Sequence, residues 1–294
     1  KDGASSGGVA LDAGSDPGEI DKDLITAKLE LDWHLNESTL LYASYNRGIK
    51  AGGFNAPLDS TDLIDGDPSN GEPADMKFDE EVLNAYEIGF KTDFFDGLAR
   101  LNGAAYYYDY QDYQAFRLEG LTQYVFNTDS TVQGAELELQ ASPIEGLDVM
   151  MGVSYIDNNV EDAYQLPSGE LVDRTAVMTP EWNINGLVRY EWPMLNGMVA
   201  VQADFTYMDD HYFQLKNSPV GKEDGYTITN ARVSYTSVDE AWVVSAFVNN
   251  ATDKEYRTMV FDLAGHPSAG GFGMAENYYG TPRWWGASVS YNFQ

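Results

Sequence analysis

From about residue 22 onward the chain alternates apolar and polar residues with a period of two, over segments that would be long for a soluble protein. Across 24–34, Ile25, Ala27, Leu29, Leu31 and Trp33 share one face, while Thr26, Lys28, Glu30, Asp32 and His34 share the other. That is a β-strand with one apolar and one charged face. The pattern returns where Ala135, Leu137, Leu139 and Ala141 oppose Gly134, Glu136, Glu138 and Gln140. It returns again where Val199, Val201, Ala203, Phe205 and Tyr207 oppose Gln202, Asp204 and Thr206, and where Arg283, Trp285, Ala287, Val289, Tyr291 and Phe293 oppose Gly286, Ser288, Ser290 and Asn292. Eleven strands are expected, at about 22–35, 38–48, 80–95, 97–117, 122–142, 146–157, 174–191, 196–210, 224–236, 240–252 and 279–294. Many exceed the five or six residues usual in globular sheets, and a tilted bilayer-crossing strand needs about 9–11.

The connections sort by length. Short ones fall at 35–38, 95–97, 142–146, 191–197 and 236–240, with turn residues such as Asn36, Asp96-Gly97, Pro143, Asn196-Gly197 and Asp239. The alternate ones are mostly long, at 49–79, 158–173, 211–223 and 253–278, with a short hairpin near Glu119-Gly120. Tight turns at one end and long loops at the other are the habit of an outer-membrane barrel. No run approaches the ~18 apolar residues of a spanning helix, so the expected fold is all-β, a transmembrane antiparallel β-barrel. Inside lipid an open sheet edge is costly, and single-chain bacterial barrels close with an even strand number. Eleven strands that end at the short-turn side therefore predict that residues 1–21 are an outer-loop segment, that 22–294 is the C-terminal part of a barrel, and that further strands precede Lys1.

Charge narrows the partners. The chain has 294 residues with 17 Lys+Arg against 47 Asp+Glu, so 17 − 47 gives a formal charge of −30, and it has no cysteine. Nucleic acid is excluded as a partner, since phosphate binding needs clustered cations. Disulfide, zinc-ribbon and thiol chemistry are excluded as well. Highly acidic chains with few aromatics are disordered, but here 13% of residues are aromatic, including 20 Tyr. The acids gather in expected outer loops, at Asp59, Asp62, Asp65, Asp67, Glu72, Asp75, Asp79, Glu80 and Glu81, and at Asp157, Glu161, Asp162, Glu170 and Asp173. Aromatics gather towards strand ends (Trp33, Tyr42, Tyr45, Phe90, Phe94, Phe95, Tyr106, Tyr107, Tyr108, Tyr110, Tyr190, Trp192, Tyr291 and Phe293), as interfacial girdles would.

Several stretches then carry a family resemblance. They are Leu41-Tyr42-Ala43-Ser44-Tyr45-Asn46-Arg47-Gly48-Ile49-Lys50-Ala51-Gly52-Gly53-Phe54-Asn55 and Tyr86-Glu87-Ile88-Gly89-Phe90-Lys91-Thr92-Asp93, the latter followed by the Asp96-Gly97 turn and the run from Arg100 to Tyr110. Gly134-Ala135-Glu136-Leu137-Glu138, the run from Val248 to Tyr256, and Pro282-Arg283 before the closing strand complete the set. Together they resemble the barrels of TonB-dependent outer-membrane receptors. The resemblance implies a Gram-negative outer-membrane barrel of about 22 strands with a plugged lumen. It also implies an N-terminal plug domain and TonB as partners, and a small-molecule ligand, most often a ferric siderophore. Eleven strands would then be the last half of the wall. No plug domain or TonB box is recognisable in this sequence, and Gln294 follows Phe293 where such barrels commonly end on an aromatic.

Two groups of candidate residues follow. Lys28, Glu30, Glu87, Lys91, Arg100, Glu136, Glu138, Arg189, Asp204 and Arg232 are expected to line the lumen and face the plug, or to pair across neighbouring strands. Arg47, Lys50, Phe54, Arg117, Tyr212 and Phe213 are expected at the outer rim, where cations and aromatic rings suit a flat metal chelate or, alternatively, lipid headgroups. Lys216, Lys222 and Arg257 are further rim cations, and Tyr113, Phe116 and Tyr124 further rim aromatics. Catalysis would have to use His34, His211 or His266, and no nucleophile motif accompanies them, so no enzyme, cofactor or resident metal is expected. The competing reading of the whole is a passive pore or structural barrel without energised gating.

Overall fold

The computed structural model describes residues 22–55, 77–119, 122–165, 170–263 and 273–293. The expected acids between Asp59 and Asp75, as well as His266, the 1–21 segment and Gln294, lie outside these. Eleven strands form the wall: β1 (Ala27–Asn36), β2 (Thr39–Lys50), β3 (Glu81–Phe94), β4 (Ala99–Glu119), β5 (Thr122–Ile144), β6 (Leu147–Gln165), β7 (Trp182–Pro193), β8 (Gly197–Met208), β9 (Tyr226–Ser237), β10 (Trp242–Asn249) and β11 (Trp284–Tyr291). Each pairs antiparallel with its sequence neighbours, giving one meandering sheet whose path runs from β1 to β11. Among the described residues the outer edges of β1 and β11 have no partner strand.

The sequence boundaries hold to within a few residues except at four places, the first being β1, which starts at Ala27 and not near 22. β6 continues to Gln165, beyond the expected 157, and pairs there with the short strand Leu171–Arg174. β7 starts at Trp182, not near 174, because 175–181 is held as an irregular segment by loop contacts. β11 starts at Trp284, not near 279, since Ala275–Tyr279 pairs instead with Arg257–Asp262. These outer hairpins, with Gly53–Phe54 against Lys77–Phe78 and His211–Tyr212 against Lys222–Glu223, carry too short an alternation to be read from the sequence.

The register fixes which residues share a face. Lys28↔Asn46, Glu30↔Ser44 and Asp32↔Tyr42 place these six on one side, and Leu29↔Tyr45, Leu31↔Ala43 and Trp33↔Leu41 place those on the other. Followed strand to strand, this yields a continuous polar face backed by a continuous apolar face. The apolar face is not covered by protein: Leu29 is 70% exposed, Leu31 69% and Trp285 81%. A water-soluble fold would bury such residues, whereas a wall in lipid presents them to acyl chains. Two aromatic belts bound this face. Towards the long connections lie Tyr45, Tyr86, Tyr107, Tyr155 and Trp182, with Tyr45–Tyr86 ring centroids 5.2 Å apart and Tyr155–Trp182 4.9 Å. Towards the short turns lie Phe94, Tyr190, Trp192, Trp242 and Tyr291. Tyr42, Tyr106, Tyr108 and Tyr110, expected in the girdles, belong instead to the polar face, because each holds an even position that pairs with polar-face partners.

β4 and β5 run 21 and 23 residues. A crossing uses about 9–11 residues, so on the order of 40 Å of this ladder stands clear of the hydrocarbon at 3.4 Å per residue. Irregularities mark the change of environment: the register shifts between Tyr110 and Tyr113 and between Val160 and Tyr164, with Asp112 at φ 54° and Asp162 at φ 46°. Above them sits a small apolar core of Ala115, Val160, Ala163 and Leu215, against which Tyr113, Phe126 and Ala176 pack. The outer layer is thus folded around its own interior.

Within the wall, glycine is repeatedly paired with an aromatic ring. Tyr42↔Gly89, Phe90↔Gly103, Tyr106↔Gly134, Phe205↔Gly186 and Phe247↔Gly286 are direct cross-strand partners, and in each case a Cβ on the glycine would meet the ring within 2.8 Å. The ring lies over the space a side chain would take. At Gly134 a Cβ would also stand 2.4 Å from the carbonyl oxygen of Tyr155, whereas at Gly48 nothing lies within 4 Å. Gly134→Ala is expected to cost about 1–3 kcal/mol by overpacking. Measured as the temperature at which the folded protein loses its heat-modifiable mobility in gels, Gly134→Ala should unfold at lower temperature and Gly48→Ala should match the parent.

Candidate functional site

All ten residues expected to line the lumen fall on the polar face by strand register. Their contacts are local. Lys28 pairs with Glu30 at 2.7 Å, and Arg100 grips Asp93 through Nε at 2.7 Å and Nη2 at 3.3 Å. Tyr42 donates to Glu87 (2.7 Å), and Lys91 stands 5.9 Å over the Tyr42 ring. Asn102 donates to Glu138 (3.3 Å), and Asn230 to Asp204 (2.6 Å). Arg189 sits between Glu191 and Asp148, and Arg232 reaches Ser245 (3.3 Å) while lying 5.6 Å from the Phe247 ring. The face is therefore a mosaic of both signs with short-range partners, organised along strands as much as across them.

The six rim candidates do not converge. Arg47 and Lys50 are three residues apart in β2 and so occupy opposite faces; Arg47 donates to Asn84 Oδ1 (3.0 Å) on the apolar face, and Lys50 lies 3.7 Å from Glu81 on the polar face. Phe54 is exposed in the small hairpin with Lys77–Phe78. Arg117 pairs with Tyr124 through the β4–β5 ladder, and their side chains lie outside the described set. Tyr212 carries Lys222 Nζ 5.7 Å over its ring. Phe213 is only 6% exposed and meets the His211 ring edge-on at 5.1 Å, so it packs the loop from within.

The other rim cations are tied to carboxylates: Lys216 to Asp262 (3.2 Å), Lys222 to Asp210 (2.7 Å) and Arg257 to Glu223 (2.6 Å). Arg257 also donates to the carbonyl of Val220 and to Asn277 (3.3 Å), clamping the 209–225 connection to the Arg257–Asp262 hairpin. Sequence reading missed the uncharged clamps. Asn217 accepts from Thr175 N–H (2.8 Å) and donates to its carbonyl (3.0 Å). Gln114 donates to the carbonyls of Ala51 (2.8 Å) and Asp79 (3.0 Å), Asn127 holds Asp79 and Asp112, and Asn55 pairs with the Val125 backbone. Buried Asn250 accepts from Lys254 N–H and donates to the carbonyls of Lys254 and Thr281. Gln114, Asn127 and Asn250 stand near the ends of expected strands, whereas Asn55 and Asn217 fall within expected loops and carry no such signal. His34 lies in β1 near its short turn, and His211 is buried beside Phe213 with Nδ1 3.1 Å from the Asp209 carbonyl. Among the described residues no three or more His, Asp or Glu side chains gather as a metal site.

A single-layer sheet with an apolar exterior band, two aromatic belts, a charged opposite face and a built outer layer defines the wall of an outer-membrane β-barrel. The model of one family, TonB dependent receptor-like beta-barrel, matches residues 2–251, and the chain belongs to that family. Among solved structures, the ferric yersiniabactin uptake receptor FyuA from Yersinia pestis superposes with a TM-score of 0.71 at 18% identity, over 94% of this chain and 38% of that one. The ferric preacinetobactin receptor BauA from Acinetobacter baumannii gives 0.64 at 19% identity (91% and 36%), and the ferric-catecholate import receptor Fiu from Escherichia coli K12 gives 0.63 at 19% (92% and 35%). The chain thus spans between a third and two-fifths of each of these proteins, and the likeness establishes the fold.

Two outcomes test the outer layer. Arg257→Met leaves the mostly buried Glu223 carboxylate without its charged donor, a loss of about 1.5–3 kcal/mol. Hydrogen exchange should speed up at 220–223 and 275–279 and stay unchanged in β4 and β5. The second concerns Lys22, which bonds Asp79 (3.1 Å) and Glu80 and holds both carboxyls below their ordinary values of 3.8 and 4.5, chiefly through these hydrogen bonds. A depressed acid contributes stability above its unfolded value and loses it as pH falls through the folded one. Protection of the 79–80 amides should therefore persist at pH 5, above both ordinary values, and fall away only as the pH drops through the depressed range beneath them.

Proposed function

We propose that the chain forms the wall and outer surface of a receptor that imports a ferric siderophore, or a similarly scarce ligand, across the outer membrane on energy delivered through TonB. One observation carries this reading: receptors for three different ferric ligands share this wall over more than nine-tenths of the chain, inside a family built for energised uptake. The polar face lines the lumen, and the plug that fills it, together with the contact to TonB, comes from elsewhere in the complete protein. The ten charged residues give that plug partners of both signs. Because their present bonds are short-ranged and mostly exposed, solvent screening keeps the energy of each exchange small, which suits a surface that must release and rebind.

Capture falls to the outer layer. Lys50, Phe54 and Tyr212 remain its candidates, with Arg117 on the β4–β5 ladder; Phe213 acts as support and Arg47 lies on the lipid side. Iron in this scheme is cargo, and no resident cofactor takes part. The outer layer is clamped by Asn, Gln and Arg side chains, so it meets the ligand as a preformed surface.

The test is uptake of radio-iron carried by ferric catecholates and ferric hydroxamates into cells that make the complete receptor, with and without TonB. Uptake of at least one chelate, abolished without TonB, is expected. Entry that persists without TonB would favour a passive pore, and thermal stabilisation by carbohydrates alone would remove iron from the scheme. Lys50→Gln combined with Tyr212→Ala should raise the half-saturating chelate concentration several-fold and leave the maximal rate near that of the parent.

A further inference from the structure

On the polar face of the last three strands a single side chain is charged. Alternate residues of β9 from Tyr226 to Thr236, of β10 from Val243 to Asn249 and of β11 from Trp284 to Ser290 take that face, and among them Arg232 alone is an acid or a base at neutral pH. The other arginines of this face are matched, Arg100 to Asp93 and Arg189 to Glu191 and Asp148. Arg232 is not: its Nη2 donates to the neutral Ser245 Oγ (3.3 Å), and among the described residues no carboxylate lies within 4.0 Å of it. Asp204, on the neighbouring strand, accepts instead from Asn230 (2.6 Å).

The surroundings of this cation are built. Its guanidinium stands 5.6 Å over the ring of Phe247, its cross-strand partner, and that ring is itself folded onto Gly286. Two hollows flank it along the wall, one of about 320 Å³ towards the short turns and one of about 230 Å³ towards the long connections. The larger exists because Ala200, Ser234, Ser245 and Ser288 are direct partners across four strands and none of them fills the space in front of Arg232. Ser245 and Ser288 share a hydrogen bond (2.8 Å), which leaves hydroxyl oxygens and their remaining donor at the floor of the hollow.

We propose that this bay is a carboxylate seat: an Asp or Glu side chain of the plug enters the larger hollow and takes two parallel bonds from Arg232, with a serine hydroxyl at its base. The proposal rests on the import reading, in which a plug fills the lumen. Filling the lumen strips water from the wall, and a guanidinium desolvated without a counter-charge is strongly unfavourable. These three strands offer no acid, so the counter-charge comes from whatever fills the lumen. A planar guanidinium already resting on a ring is suited to a carboxylate in the bidentate arrangement. Arg232 lies midway along β9, below the clamped outer layer, and it needs its partner whether or not cargo is present. That selects a plug side chain over the imported chelate.

The test uses the complete receptor, with heat-modifiability confirming the fold of every variant. A water-soluble carbodiimide joins an amine to a carboxylate in contact with it, so Arg232→Lys turns the seat into a cross-linking position; the Lys216–Asp262 pair (3.2 Å) reports that the reagent has worked. Peptide mass spectrometry should find position 232 linked to an Asp or Glu of the plug. Arg232→Glu should raise the ion leak of receptors in planar bilayers at least five-fold, and changing the linked plug acid to arginine in the same chain should bring the leak back close to that of the parent. No link at 232 while Lys216 links, a link only to a wall acid such as Asp204, an unchanged leak in Arg232→Glu, or no rescue by the paired reversal would overturn the proposal. A plug missing from the peptide map of the parent would remove the import reading together with the seat, whereas a plug present but unlinked removes the seat alone.

Discussion

The wall depends on one requirement: in hydrocarbon, each backbone N–H and C=O must be satisfied by a neighbouring strand, because no water is present to do so. Everything else is fitted to that ladder. Side-chain period follows from it, so one register decides at once which residues meet lipid and which meet the interior. Among the described residues the outer edges of β1 and β11 carry no partner strand, and in hydrocarbon such edges need one. The outer layer escapes the requirement, and there the chain uses side chains where the wall uses the ladder. Asn55, Gln114, Asn127, Asn217 and Asn250 bond to backbone groups that no strand reaches.

The wall was legible in the sequence because lipid contact and strand pleat leave a repeating trace. Lys28, Glu30, Glu136 and Glu138 could be placed on a common face from alternation alone, and pairing leaves them there. What alternation does not convey is which face an aromatic serves, since tyrosine suits both; hence Tyr42, Tyr106, Tyr108 and Tyr110 were expected at the lipid boundary and lie on the polar face. The rim was far less legible. Arg47 and Lys50 look adjacent in sequence, but an odd spacing on a strand sends them to opposite sides, and the composition of the rim said nothing of this. Short hairpins such as His211–Tyr212 with Lys222–Glu223 have too few residues to show a period at all. The start of β7 was misread for a related reason: the polar residues around Thr175 suit a strand, but Asn217 and Asn158 hold that stretch from a distance in sequence.

Charge also takes on a different meaning across the molecule. In the outer layer Lys22, Lys216, Lys222 and Arg257 are each matched to carboxylates, so the acidic excess there is what an approaching solute meets. Such a surface concentrates cations and slows anions at low ionic strength. On the polar face the two signs are interleaved and paired at short range, with carboxylates still in excess over cations.

The aromatic-over-glycine pairs bear on the relief of the polar face. Tyr42, Tyr106 and Phe247 are large rings on the polar face, and each is folded down onto the vacancy left by Gly89, Gly134 or Gly286. Bulk that cannot bend is thereby laid along the surface, and the relief of the polar face is left to lysine, arginine and glutamate chains that swing readily. The relief of the polar face is accordingly set by pliable bristles over a smooth lining, so its contour can yield locally while the strands stay where they are.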